Sequence, residues 1–466
     1  MYYTKFGQLY RSLNAKEIRL LKQWIKSPMH NKHKDVERFY EFLFTRRAVS
    51  ELVYKKERIF NYLYPQQPYN DLRMRHVLSL ALNILNEFVR YNMLVLESNI
   101  SDFLWVKDLR ERNLPKLAEQ ALNKAQEKLH HQPHRSDAYY LRQFHLDVEK
   151  MAQRGTQHRI GTNNLEEISG SLSLFFIINT LRYACVHFSH QSLRQTECNI
   201  ILLDAVIAEV ESRDYGAHPV VMAYYYIYQA LTHPKEEVYF KLLKRCLLDH
   251  TALFPSEEYK NCFLQALNYC IKRLNIGGET YIREAFELYL YGLEHKVLFN
   301  GKELSPFTYK NVVALGLRLE KFDWVATFIP TYAAYLPDEN RRSYVHYNTA
   351  RLHCAQGNYK ASLSLLAQTD YDDVFMNMDA KVMQLKMYYE EQEYDVLEAL
   401  LQSFSVFLQR KNIMGYHRAH YKNVILFIKK FLSIPHLDKE TKALLRQQIE
   451  ETEPLPERPW LLKQLE

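Results

Sequence analysis

Phe322, Tyr359 and Tyr394 each open a stretch of helical periodicity just after a short turn, at spacings of 37 and 35 residues. The turns read Glu320-Lys321, Gly357-Asn358 and Gln392-Glu393. A pair of helices joined by such a turn occupies about 34 residues. One pair cannot bury its apolar face alone and must stack against the pairs on either side. This recurrence within 306–410 constrains the chain more than any other feature, because it demands stacked helix hairpins in place of one closed core.

Composition extends that expectation to the rest of the chain. Only 12 of 466 residues are Gly, about a third of ordinary usage. Leu, Glu, Lys, Gln, Arg and Ala dominate, all good helix formers, and few stretches alternate with period two. The expected fold class is all-α, in two or three domains or one extended array, since a single core does not grow to this length. Tyr (35) and Phe (24) are abundant. A Tyr at a helix contact can bury its ring and keep its hydroxyl wet, so most of them read as packing.

Charge is uneven. Residues 1–100 hold 17 Lys and Arg against 9 Asp and Glu, a net +8, and the remainder nets −1. A basic N-terminal fifth suits an acidic partner or nucleic acid. The candidate cations are Lys22, Lys26, Lys32, Lys34, Arg46, Arg47, Lys55 and Lys56. The six cysteines include no Cys-x-x-Cys pair and read as packed, reduced thiols of a cytoplasmic protein. The first residues carry no apolar signal region. The longest uncharged apolar runs are 168–181 and 215–234. The first is short of a bilayer span, and Pro219 and Pro234 bound the second, so no membrane span is expected.

Punctuation divides the chain into five parts. Residues 1–65 read as a basic helical cap. Asn14 and Glu17 make a capping-box pattern, and the helix they open, through Ile18, Leu21, Trp24 and Ile25, stops at Ser27-Pro28. A further helix carries Val36, Phe39, Tyr40 and Leu43. Residues 66–154 hold a long helix capped by Asn70 or Asp71, with Leu78, Ala81, Leu82, Leu85, Val89 and Met93 as its apolar stripe. Helices near 101–113, 115–130 and 136–154 follow. The loop 155–164 marks a soft boundary. Residues 165–300 read as helices near 166–188, 191–213, 217–232, 235–251, 256–274 and 279–297. Residues 301–451 hold the recurring pairs, opened by Ser305-Pro306, and helices near 414–432 and 438–451. Residues 452–466, with Pro454, Pro456 and Pro459, read as an irregular tail.

The register of the recurring pairs resembles the tetratricopeptide repeat (TPR) family. In the middle pair Ala350 stands at the small position of the first helix, Gly357 in the turn, Tyr359 at the aromatic position and Ser362 at the small position of the second helix. Pro337 follows Phe322 by fifteen residues, where the family often places a proline. In the flanking pairs Val313 and Leu385 replace the first small residue, and Val325 and Leu397 the second. The resemblance covers about a quarter of the chain. It implies a right-handed superhelix of antiparallel helix pairs, a TPR-like α-solenoid with the basic helical region as its N-terminal cap. In that family the first helices line a concave groove. By register the groove would present Phe307, Lys310, Tyr344, Tyr347, Asn348, Arg351, Lys386 and Tyr389. Cations beside aromatics suit an extended peptide with acidic groups. Some members clamp a peptide's terminal carboxylate; Lys310 and Asn348 match two of those positions, and Ala314, Asp379 and Met383 do not. Separately, Lys26-Ser27-Pro28-Met29-His30-Asn31-Lys32, Glu57-Arg58-Ile59-Phe60 and Pro68-Tyr69-Asn70-Asp71 resemble a recurring N-terminal module of uncharacterised bacterial helical-repeat proteins, which implies no activity.

Catalytic signatures are missing from the sequence. Gly277-Gly278 lacks the rest of a phosphate loop, and there is neither a Gly-x-Ser-x-Gly elbow nor a His-Glu-x-x-His motif. Cys185, His187 and His190 with Cys198, His130 with His131 and His134, and His417 with His420 all carry ligand atoms. On one helix, however, Cys185 and His187 point roughly opposite ways, and the other clusters suit turns and surfaces. Asp372-Asp373 and Glu390-Glu391 fall at loops or exposed turns, away from any cleft the sequence announces. The expected function is a non-enzymatic scaffold or adaptor holding a protein or peptide in a concave groove, with no cofactor and no metal. The alternative is a nucleic-acid or ribonucleoprotein-associated helical-repeat protein that uses the basic N-terminal region.

Overall fold

The computed structural model describes residues 2–45, 54–96, 98–157, 164–191, 199–275, 278–367, 373–410, 415–433, 439–455 and 457–466. Among them the chain is all-α: twenty-three helices and one hairpin of two-residue strands. It divides into two compact units, Met1–Ile177 and Ile178–Glu466.

In the first unit four short helices, α1 (Lys5–Ser12), α2 (Ala15–Lys26), α3 (Lys34–Phe44) and α4 (Lys56–Leu63), pack on the long α5 (Asp71–Leu96). The capping box of α2 forms as expected. Asn14 Oδ1 accepts from the Glu17 amide at 3.0 Å, and the Glu17 carboxylate accepts from the Asn14 amide at 2.7 Å. Asn70 caps α5, accepting from the Arg73 amide at 3.0 Å; Asp71 instead pairs with Lys56 and Arg75. The core joins Phe6, Leu21, Phe39 and Phe60 to Met74, Val77, Ala81, Leu85 and Phe88 of α5. The buried face of α5 is thus rotated from the expected stripe, and Met93 is exposed. Two adjacent apolar faces run along α5, and the short helices select the one through Met74. Tyr40 is buried completely, and its hydroxyl is dry: it donates to the Ala81 carbonyl at 2.8 Å. Three further helices, α6 (Ser98–Glu111), α7 (Pro115–His130) and α8 (Asp137–Gln157), pack on one another.

The helix α9 (Leu165–Gln191) runs through the division between the units. The apolar run 168–181 is the middle of this longer helix, and Leu165–Ser189 is long and apolar enough to cross a membrane by length and composition. Arg182 nevertheless faces protein. Its guanidinium pairs with Glu258 and donates to the Tyr224 hydroxyl at 3.0 Å, which in turn donates to Glu258 at 3.0 Å. The second unit continues through α10 (Leu203–Ser212), α11 (Pro219–Thr232), α12 (Glu237–Asp249), α13 (Ser256–Asn275) and α14 (Tyr281–Glu294), then β1 (Phe299–Asn300) paired antiparallel with β2 (Glu303–Leu304). Of the helix expected over 191–213, residues 192–198 lie outside the described residues, 199–202 are not helical, and α10 begins at Leu203. Leu202 before it has a φ of 64°, a left-handed conformation through which a right-handed helix does not continue.

The recurring pairs are α15 (Pro306–Arg318) with α16 (Phe322–Ala333), α17 (Asp338–Ala355) with α18 (Tyr359–Ala367), and α19 (Val374–Glu390) with α20 (Tyr394–Arg410). A fourth pair follows, α21 (Gly415–Ser433) and α22 (Lys439–Glu451). Each first helix touches the next: α15 meets α17, α17 meets α19, and α19 meets α21. One turn motif closes the first three pairs. Glu320, Gly357 and Gln392, each two residues before the marker aromatic, have φ of 55°, 78° and 57°. The following amides reach back to Gly316 O at 2.9 Å, His353 O at 2.8 Å and Tyr388 O at 2.9 Å. The left-handed residues themselves donate to Leu317, Cys354 and Tyr389 carbonyls. This is a Schellman closure used three times, and it starts each second helix at the same register.

Different residues set the crossing within each pair. In the middle pair Ser362 Oγ donates to the Ala350 carbonyl at 2.8 Å, with both residues fully buried. In the first pair the room comes from Gly316, where an added Cβ would lie 2.6 Å from Val325 Cγ2. In the third, Leu385 and Leu397 fill the space. The stretch 452–466 is not irregular throughout, since it contains α23 (Arg458–Lys463). Pro459 sits in the first turn, where its missing N–H has no helical partner to lose. Leu455, Leu461 and Leu465 are buried in the same core as α20, α21 and α22.

Candidate binding cavity on the recurring helices

The first helices of the pairs present one chemically mixed face. On α17, Tyr347, Arg351 and Cys354 recur at spacings of four and three; on α19, Asp379, Val382, Met383, Lys386 and Glu390 do the same. Each set therefore shares a helix side. Lys310 of α15, His420 and Tyr421 of α21, and Glu457, Trp460 and Lys463 of the α23 segment complete a cavity of about 490 Å³.

Asp379 is the hub of the wall. Its carboxylate accepts from Lys310 Nζ at 2.7 Å and from the Tyr421 hydroxyl at 2.8 Å, which ties α15, α19 and α21 together. Burial, reinforced by the Asp379 charge, pushes the Tyr421 phenol far above its ordinary value, so it stays a donor. Lys310 Nζ and the Arg351 guanidinium stand 5.9 Å and 5.7 Å from the centre of the Tyr347 ring. Arg351 also donates to the Lys310 carbonyl at 3.3 Å. Further along, Lys386 pairs with Glu457 at 2.6 Å and lies 5.5 Å from the Trp460 ring. Trp460 Nε1 and Gln464 Nε2 donate to Glu390 at 2.8 Å and 2.9 Å. Cys354 sits among these charges. Burial pushes its thiol up; Lys386 and Arg351 oppose that, and Glu457 and Glu390 add to it. The net shift is upward, which favours the protonated thiol. Lys310 and Lys386 thus have carboxylate partners, whereas among the described residues no carboxylate pairs with Arg351.

Of the residues expected in the groove, Lys310, Tyr347, Arg351 and Lys386 line this cavity. Tyr344 and Asn348 do not. Asn348 is fully buried on the flank of α17 and donates to the Tyr344 carbonyl at 2.8 Å. Tyr344 is buried nearer the start of α17, where its hydroxyl donates to Asp373 at 3.3 Å. Burial and Asp373 push that phenol up to about 12. Register alone puts both on the groove, because they stand four residues apart with Arg351 near by, yet the stack covers that end and flank of α17. Tyr389 lies beside the cavity, against Phe431 at 6.0 Å and Trp460 at 5.6 Å. Phe307 is exposed at the start of α15. Sequence reasoning misses Tyr421, Glu457 and Trp460. Three prolines hide α23; the one signal of it is an apolar triplet, Trp460, Leu461 and Leu462, in a stretch expected to be irregular.

In the first unit Lys22, Lys26, Lys32, Lys34 and Lys55 are exposed, and Lys56 is paired with Asp71 at 3.0 Å. Lys22 and Lys26 share a cavity of about 440 Å³ with Glu37 and Glu41, so the charge there is mixed. Arg46, Arg47, Cys198, Gly277 and Asp372, and the side chains of His190 and His417, lie outside the described residues. Cys185, Cys246, Cys262 and Cys270 are buried free thiols. Comparison with protein-family models, curated proteins and solved structures finds no match to the chain.

Proposed function

We propose that the face formed by α15, α17, α19 and α21 is the recognition surface of a non-enzymatic scaffold, a TPR-like α-solenoid wound as a right-handed superhelix, which holds a short stretch of a partner protein. The observation that carries this reading is the cavity, where cations, Tyr347, Tyr421 and Trp460 stand beside apolar Val382 and Met383. Its volume of about 490 Å³ suits a few side chains. Aromatic and Arg residues are the ones that most often concentrate binding energy. Arg351, bonded among the described residues to a backbone carbonyl and to no carboxylate, is the place for an acidic group of the partner, because a guanidinium gains two parallel bonds from a carboxylate. The same groups are poorly suited to catalysis: Cys354 and Tyr421 are both shifted away from neutrality, and Asp379 and Glu457 are tied to lysines.

A photo-crosslinking residue placed at Met383, inside the cavity, and at Val396, exposed on α20, tests this reading in cells. The expected result is a discrete protein adduct from position 383, lost when Arg351→Glu is added, and none from position 396. Equal adducts from both positions, or none from 383, contradict it.

A further inference from the structure

The α23 segment already sets on this face a carboxylate and an aromatic ring one helical turn apart. Glu457 sits on Lys386 at 2.6 Å. Trp460, three residues on, lies 5.5 Å from the same ammonium, meets the Tyr389 ring edge-on at 5.6 Å and donates to Glu390 at 2.8 Å. These are the interactions that a bound segment of a partner would make there. The helix has six residues, too few to be stable by itself. Its order therefore comes from what it docks on: Leu461 and Leu465 in the core beneath, and Glu457 and Trp460 on the cavity wall.

We propose, resting on the reading of this face as a recognition surface, that α23 is a built-in competitor. It occupies the α19 end of the face, and the partner is a segment that carries an acidic and an aromatic residue one helical turn apart and takes over Lys386 and Tyr389 when α23 leaves. The Arg351 end stays open in either state and makes the first contact. An occupant tethered to the same chain acts at high effective concentration, so it need not bind tightly to hold back a free competitor.

A fluorescent peptide with the sequence of residues 452–466 is the probe. It is titrated into the unaltered full chain, into Glu457→Gln/Trp460→Ala, and into that variant with Lys386→Glu added. Competition predicts that the double variant, its own segment weakened, binds the peptide at least about tenfold tighter than the unaltered chain, and that Lys386→Glu removes this binding. Equal or absent binding by the unaltered chain and the double variant overturns the proposal. Hydrogen exchange on the unaltered chain is a second test that no substitution can confound. The amides of 461–466 should exchange at least about a hundredfold faster than those of α19 and α21; equal protection means that α23 is a fixed part of the stack, which overturns the proposal as well. Should the peptide fail to bind while position 383 still captures a partner through Arg351, competition by α23 falls and the recognition surface stands.

Discussion

Single residues in this chain are informative where burial and charge disagree. Asp147 on α8 is buried, and burial together with Glu167 lifts its carboxyl to about 6, against the Ser171 hydroxyl, Lys150 and His130. The folded chain therefore keeps a proton that the unfolded chain releases near its ordinary value of 3.8. Stability from this group falls as pH rises between those two values and stays lower above them. Asn mimics the protonated acid. Asp147→Asn is expected to raise the melting temperature at pH 7.5 and to leave it nearly unchanged at pH 4; an equal shift at both pH values in thermal melts would refute a raised carboxyl. Asp379 matters through its bonds, since its carboxylate accepts from both Lys310 and Tyr421. Asp379→Ala leaves an unpaired ammonium and an unpaired phenol behind it and should cost about 1–3 kcal/mol in denaturant titrations. No measurable loss would mean that water serves both groups equally well.

At the scale of the element, the repeated Schellman turn gives a prediction of opposite signs at equivalent positions. Glu320 and Gln392 hold the same left-handed conformation as Gly357, and a side chain there is strained where Gly is not. Glu320→Gly and Gln392→Gly should each stabilise the chain by up to about 1 kcal/mol, and Gly357→Ala should destabilise it by a similar amount. Chemical denaturation of the three variants checks this, and a common sign for all three would contradict the shared turn. Gly316→Ala should cost about 1–3 kcal/mol, because the new Cβ would lie 2.6 Å from Val325 Cγ2 and force α15 and α16 apart. What the sequence reveals and conceals follows the same division. The turns at 320, 357 and 392 and the Asn14–Glu17 cap are legible because they are fixed by a few neighbouring residues. The rotation of α5 toward Met74 is not, because two apolar faces satisfy the same period and only the covering helices choose between them. The helix α23 is hidden because proline reads as a breaker until its place in a first turn is known. Part of the cavity is legible for a related reason. Lys310, Tyr347, Arg351 and Lys386 follow from the register of the first helices, whereas Glu457 and Trp460 come from a segment outside the repeat.

For the whole molecule, the second unit carries recurring pairs whose first helices meet one another, and the charged and aromatic groups of those helices gather at one cavity. The first unit carries exposed lysines, two of them sharing a cavity with Glu37 and Glu41. Binding of nucleic acid through those lysines would weaken steeply with salt and would depend on phosphate contacts. Binding of a protein segment at the cavity would depend on Arg351 and survive nuclease. The most direct test is affinity purification with mass spectrometry on the tagged chain and on its Arg351→Glu variant, side by side and after nuclease, with thermal melts showing that both are folded. Recognition at this face predicts a partner that the unaltered chain retains through nuclease treatment and the folded variant loses. The same partner on both chains, or capture that nuclease abolishes, would contradict it.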